Sequence, residues 1–124
     1  MSDVLICGNR RLVKSLGVFL SKIGKTAIVE YHGIETTVLK ACGVNGETEL
    51  TISQDGELKI VHRPDAGGGH EFQAKLAYSV HVSARKPASA SYVDGLGGRG
   101  IYIRGYFRTV EFTLSRDDVK ISLY

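Results

Sequence analysis

The run "GGRGIYIRGYFRTVEF", residues 97–112, crowds arginine and tyrosine into a segment with the apolar alternation of a β-strand. Arg99, Tyr102, Arg104, Tyr106 and Arg108 are its chemically able residues. A guanidinium fork matches phosphate oxygens in a planar, two-point fashion, and a tyrosine face stacks on a nucleobase or another guanidinium. Gly97, Gly98 and Gly100 lie just upstream, where the missing side chains let backbone amides approach an anion closely. The chemistry implied is recognition of a phosphate-bearing ligand. The alternative is that Tyr and Arg simply suit exposed strand positions and stack on each other.

A second cationic group lies near the start of the chain. Arg10, Arg11 and Lys14, with Lys22 and Lys25 further on, occur with no acid between them. Arg10 and Arg11 fall in the first turn of an expected helix, where the macrodipole disfavours positive charge by about a few tenths of a kcal/mol each. A local conflict of this kind points toward function, with a solvated basic face as the alternative.

Other constellations do not assemble. The four histidines, His32, His62, His70 and His81, sit near strand ends or on polar faces, and a metal site would need two or three of them to converge. Cys7 and Cys42 read as reduced, buried thiols, since neither has a second Cys or a His at ligand spacing. No metal or other cofactor is expected. "DAGGGHE", residues 65–71, lacks the Lys-Ser/Thr and the following helix of a P-loop, and reads as a mobile hairpin tip. No serine sits in a nucleophile elbow. Glu47, Glu49, Asp55 and Glu57 share one hairpin and read as a solvated acidic edge. With no set of nucleophile, base and oxyanion donors, the chain does not read as an enzyme.

The elements that must position these residues follow from periodicity. "DVLIC" reads as a first strand. Leu12, Leu16, Phe19, Leu20 and Ile23 recur at three- and four-residue spacing and define one face of a helix, with Asn9 as its cap and Gly24 as a left-handed stop. The period then becomes two. "TAIVEYH" and "ETTVLKA" suggest one hairpin, and "ELTIS-QDGE-LKIVHR" a second around Asp-Gly. "FQAKLAYSVHVSAR" reads as one long half-buried strand, and "KPASASYVDGLGGRG" as a connection. In the opening run, Ile101, Ile103 and Phe107 share one parity while Val110, Phe112 and Leu114 share the other. A β-bulge near Arg108–Thr109 would return both sets to one core and leave Tyr102, Arg104 and Tyr106 outside. "DVKISLY" is the last strand.

These elements predict an α+β fold leaning to all-β: an antiparallel sheet with one N-terminal amphipathic helix packed on it, in a single β-rich domain over residues 1–124. At 124 residues, 43% apolar and 23% charged, the chain has material for one ordinary core. No apolar run is long enough to span a membrane. Asp3 and the lack of an apolar block before the arginines argue against a secretory signal, so a cytoplasmic setting is expected.

Charge is unevenly spread. Residues 1–25 carry five Lys/Arg against one acid, residues 26–71 three against eight, and residues 72–108 six against one. Two basic blocks flanking an acidic one imply an anionic partner or self-association. The segment "NRRLVKSLGVFLSKIGKTAIVE" resembles the opening strand–helix–strand of checkpoint-type sliding DNA clamps, in its Gly-Asn start and its "LSKIG" helix end. Clamps repeat a helix in each half-domain, whereas the second half of this chain alternates like strand, so the resemblance is carried no further. "RGYFRTVEF" is similar to the RNA-recognition strand signature but holds one residue too many, and the fold's second helix is missing. Two readings stand. One is a non-catalytic binder of nucleic acid or a phosphate-bearing nucleotide. The other is a small protein–protein module meeting an acidic partner or a second copy of itself.

Overall fold

The structure, a computed structural model, describes residues 10–33, 35–53, 55–76, 79–85, 91–94, 100–116 and 118–124. The expected first strand, Asn9, Cys7 and Arg99 lie outside the described residues.

Helix α1 (Arg10–Ile23) buries Leu12, Leu16, Phe19, Leu20 and Ile23, the five residues whose spacing predicts it. Gly24 follows it in a role other than the expected left-handed stop. A side chain there would put its Cβ 2.8 Å from the Cys42 carbonyl oxygen, so glycine is needed for close approach to a neighbouring strand.

Among the described residues ten strands follow: β1 (Thr26–His32), β2 (Thr36–Cys42), β3 (Glu47–Ile52), β4 (Glu57–Arg63), β5 (His70–Lys75), β6 (Ser79–Ala84), β7 (Ser91–Asp94), β8 (Ile101–Gly105), β9 (Thr109–Leu114) and β10 (Asp118–Leu123). They form two five-stranded sheets, ordered β1-β2-β9-β10-β6 and β5-β4-β3-β8-β7. Every adjacent pair is antiparallel except β10 and β6, which run parallel. The fold is therefore α+β leaning to all-β, with one helix packed on two sheets rather than on one. One hydrophobic cluster contains residues of the helix and both sheets, among them Leu16, Leu39, Leu50, Ile60, Phe112 and Ile121. The helix meets β5 through Phe19 and Phe72, whose ring centroids lie 5.6 Å apart in a tilted pair.

Both predicted hairpins form. In β3–β4 the Ser53 hydroxyl accepts the amides of Asp55 and Glu57, and Gly56 takes a positive φ of 85° to close the turn. Two longer expectations are corrected. The run 72–85 is not one strand. β5 ends the second sheet and β6 ends the first, with the change of sheet between them. The run 101–114 likewise passes from β8 in the second sheet to β9 in the first, so a corner between sheets, not a bulge in one strand, accounts for its parity change. Phe107 sits at that corner, 1% exposed. The corner is pinned by the amides of Arg108 and Thr109, which both donate to the Tyr124 carbonyl (2.6 and 3.1 Å), and by the Val44 amide donating to the Arg108 carbonyl (3.0 Å).

Strand β1 departs furthest from expectation. Its alternation implies one buried face, yet all seven residues are exposed. Ala27, Val29 and Tyr31 stand opposite the buried Ala41, Leu39 and Thr37 of β2, so they share the core-side face but extend past the layer that covers it. Among the described residues, no helix is long and apolar enough to cross a membrane.

Candidate functional site

The arginine–tyrosine strip is divided by the corner. Its first half lies on β8, where Arg104 is exposed, Ile103 is buried, and Ile101 and Tyr102 are half-buried. Strand β3 pairs directly with β8 and brings carboxylates to the same face. Arg104 Nε donates to Glu47 Oε2 at 2.8 Å, and Arg63 Nη1 from β4 donates to Glu49 Oε1 at 3.0 Å. Hydrogen bonding between Tyr102 and Glu49 raises the phenol's pKa and, ahead of the nearby Arg63, lowers that of the carboxylate. The Glu47 hydrogen bond likewise drives the Arg104 value upward. Two guanidiniums and two carboxylates thus form a neutral ladder, and an anion arriving at Arg104 would have to displace Glu47. Two of the four acids read as a solvated edge, Glu47 and Glu49, are the counter-charges of this strip.

Exposed ion pairs contribute little to folding because solvent screens them and long side chains lose freedom in forming them. Arg104→Ala is therefore expected to leave the melting temperature nearly unchanged. A thermal melt falling by several degrees would show instead that the ladder is structural.

The second half of the strip has other neighbours. Tyr106 and Arg108, both exposed, line a shallow recess of about 350 Å³ with Arg85, Thr109 and Tyr124. Tyr124 donates its hydroxyl to Glu111 at 3.0 Å. Arg85 and Arg108 form no ion pair among the described residues. Sequence separation hides Arg85 and Tyr124 from this group. Only the corner and the end of β10 bring them in.

The helix cations form a third surface. Arg10, Arg11 and Lys14 line a groove of about 670 Å³ with Val13 and Gly17 of α1 and Val29 and Tyr31 of β1. No acid occurs in the first helical turn. Val29 and Tyr31 are 44% and 61% exposed, so the groove has an apolar wall beneath a cationic rim. The structure thus unites the three helix residues singled out by sequence with two strand residues that were not. It separates them from the Arg104 ladder.

A buried histidine was also missed. His62 on β4 is 1% exposed, and its Nδ1 lies 3.0 Å from the Thr48 hydroxyl. Burial is the main influence lowering its pKa, the Asn45 backbone raises it, and the facing His70 and nearby Asp65 exert smaller opposed effects. With the folded-state value below the unfolded one, the unfolded chain takes up the proton first. The stability this contributes is present above about pH 6.5 and is lost as pH falls through the folded-state value. His62→Asn, which keeps a partner for Thr48, should destabilise the protein at neutral pH. The gap from wild type should then narrow in melts at acidic pH, and a constant gap would contradict the assignment.

Among the described residues no group of three or more His, Cys, Asp or Glu side chains is placed to hold a metal ion. Comparison of the chain with protein-family models, curated proteins and solved structures found no match to any of them.

Proposed function

We propose that the protein is a non-catalytic binding module for an anionic ligand, with single-stranded nucleic acid the class best suited to its principal surface. The observation that carries this reading is the α1–β1 groove, where Arg10, Arg11 and Lys14 rim an apolar wall containing an exposed tyrosine. Cations spaced along a groove follow a phosphate backbone, and an aromatic face stacks on bases without regard to their sequence. The corner recess, with Arg85, Arg108 and Tyr106, repeats the same pairing of chemistries and serves as a secondary contact. Arg104 has a lesser place in this reading because Glu47 already occupies its fork. The proposed setting is the cell interior, where such ligands are abundant.

The test is fluorescence anisotropy with a labelled short single-stranded oligonucleotide at low salt. Wild type should bind, Arg11→Ala/Lys14→Ala should bind much more weakly, and Arg104→Ala should bind almost as wild type. No binding by folded wild type would reject the reading.

A second reading rests on a separate observation. Among the described residues, β1 closes one end of its sheet, is exposed along its whole length, and offers an open row of backbone donors and acceptors. An extended segment of a protein partner could add there as a further strand, and the adjacent cations favour an acidic segment. A second copy would bring its own cations to the same place. Binding of an acidic peptide without binding of the oligonucleotide would favour this reading over the first.

A further inference from the structure

We propose that a recess at the other end of α1 binds the phosphoryl group of a small phosphate ester. It has about 500 Å³ of space and lies between the helix's C-terminal end and the glycine-rich β4–β5 connection, "PDAGGGH". This site is distinct from the α1–β1 groove and does not depend on the nucleic-acid reading.

Three features converge on an anion. Lys22 and Lys25 stand on one wall, and among the described residues no Asp or Glu lines the recess. The opposite wall is the 66–69 backbone, where a Cβ added to Gly67 or Gly68 would meet nothing within 4 Å. The amides of those two glycines make no hydrogen bond among the described residues. Bare, unbonded N–H groups in an open loop can approach an oxyanion as closely as hydrogen bonding allows. Between these walls lies His62, with Nε2 buried and lacking a hydrogen-bond partner. Hydrogen bonding with the Asn45 backbone opposes the effect of burial on the ring, while Nε2 itself has no hydrogen-bond partner among the described residues. In the tautomer in which Thr48 donates to Nδ1, the neutral imidazole carries its hydrogen on Nε2, a donor without an acceptor. A buried donor of this kind calls for a partner, and the recess is where one can enter.

The frame around the recess is fixed by close backbone packing. At Gly24 a Cβ would sit 2.8 Å from the Cys42 carbonyl oxygen, and at Gly46 only 2.2 Å from that of Arg63. Gly43, at φ 68°, leaves room for the Lys25 side chain. Asp65 and His70 are the other titratable groups beside His62. Asp65 is exposed and outside the lining, while His70 belongs to it. Two ammonium groups, free amides and a neutral imidazole donor select a compact oxyanion over a cation. The volume exceeds that of phosphate alone, so part of an attached organic group fits as well.

The test is an amide NMR titration of the full chain with inorganic phosphate, adenosine monophosphate and an oligonucleotide lacking terminal phosphates, each at matched ionic strength. Saturable shifts confined to Gly67, Gly68 and their neighbours are expected with the monophosphate. Lys22→Ala/Lys25→Ala, both exposed positions, should weaken binding at least tenfold, whereas Arg11→Ala/Lys14→Ala should leave it unchanged. Equal affinity for inorganic phosphate would identify the free ion as source, and matching shifts with the oligonucleotide would identify a nucleic-acid backbone. The first result supports a phosphoryl site, whereas the second overturns its assignment to a small phosphate ester. The proposal is overturned if no probe shifts these amides saturably at millimolar concentration, or if the double lysine variant binds as wild type. Failure here leaves the groove reading standing, because the two pairs of variants report separately.

Discussion

Phe107→Ala is expected to destabilise the protein by roughly 3–5 kcal/mol, the range for truncating a buried aromatic. For a chain of this size that corresponds to a fall in melting temperature on the order of 10–20 °C. Phe107 is 1% exposed and occupies the corner where the chain leaves β8 for β9. The backbone there cannot collapse into the space left by the ring. The carbonyl of Arg108 accepts from Val44, and the amides of Arg108 and Thr109 are held by the Tyr124 carbonyl. A cavity is therefore expected rather than repacking, which places the loss toward the upper end. A loss below about 1 kcal/mol, ordinary for a surface change, would mean that the corner relaxes and that Phe107 is not a keystone of the sheet change.

The same corner explains which parts of the fold were legible in the sequence. Helix α1 and the two hairpins depend on periodicity and turn chemistry within short windows, and they form where those signals place them. Changes of sheet are not local. In residues 72–85 the even-numbered side chains face inward on both sides of the break, so alternation passes through it unmarked. Phe72 is buried on β5, while Val80 and Val82 are half-buried on β6. In residues 101–114 the parity does change, and the change is visible in the sequence. Its cause was misassigned because a bulge and a corner leave the same trace in a one-dimensional pattern. β1 shows the opposite limit. Its alternation is genuine and places Ala27, Val29 and Tyr31 on the core-side face, but no pattern states how far the covering layer extends.

The candidate sites divide along the same line. Lys14 lies one helical turn from both Arg10 and Arg11, so helix geometry brings it beside each of them. Arg104 and Glu47 lie 57 positions apart, so only the β3–β8 pairing reveals that the arginine already has its carboxylate. Glycines 67–69 and Lys22–Lys25 meet through tertiary packing alone, and the buried donor between them belongs to a histidine that looked like any strand residue. Charge blocks point to a class of ligand chemistry without showing which cations remain available for it.

Salt dependence gives the sharpest reading of that availability. If Arg11 and Lys14 each neutralise one phosphate of a single strand, raising salt from about 50 to 200 mM should weaken binding roughly sevenfold through counterion release. Further contacts from the Arg85–Arg108 recess would steepen the slope by a factor that grows with each phosphate neutralised. Arg11→Ala/Lys14→Ala should remove the contribution of these two cations, so that the logarithmic slope falls by about 1.4 while the protein's melting temperature hardly moves. Both side chains are exposed, which separates binding from folding in this variant. Tyr31→Ala tests the other half of the surface. Loss of base stacking should lower affinity by about 1–3 kcal/mol at every salt concentration without altering the slope, because no counterion is released from an uncharged ring. Cations that act on the slope and an aromatic that acts on the intercept would together establish a nucleic-acid groove between α1 and β1. A slope unchanged in the double variant would place the phosphates elsewhere and leave β1 as a docking edge for protein.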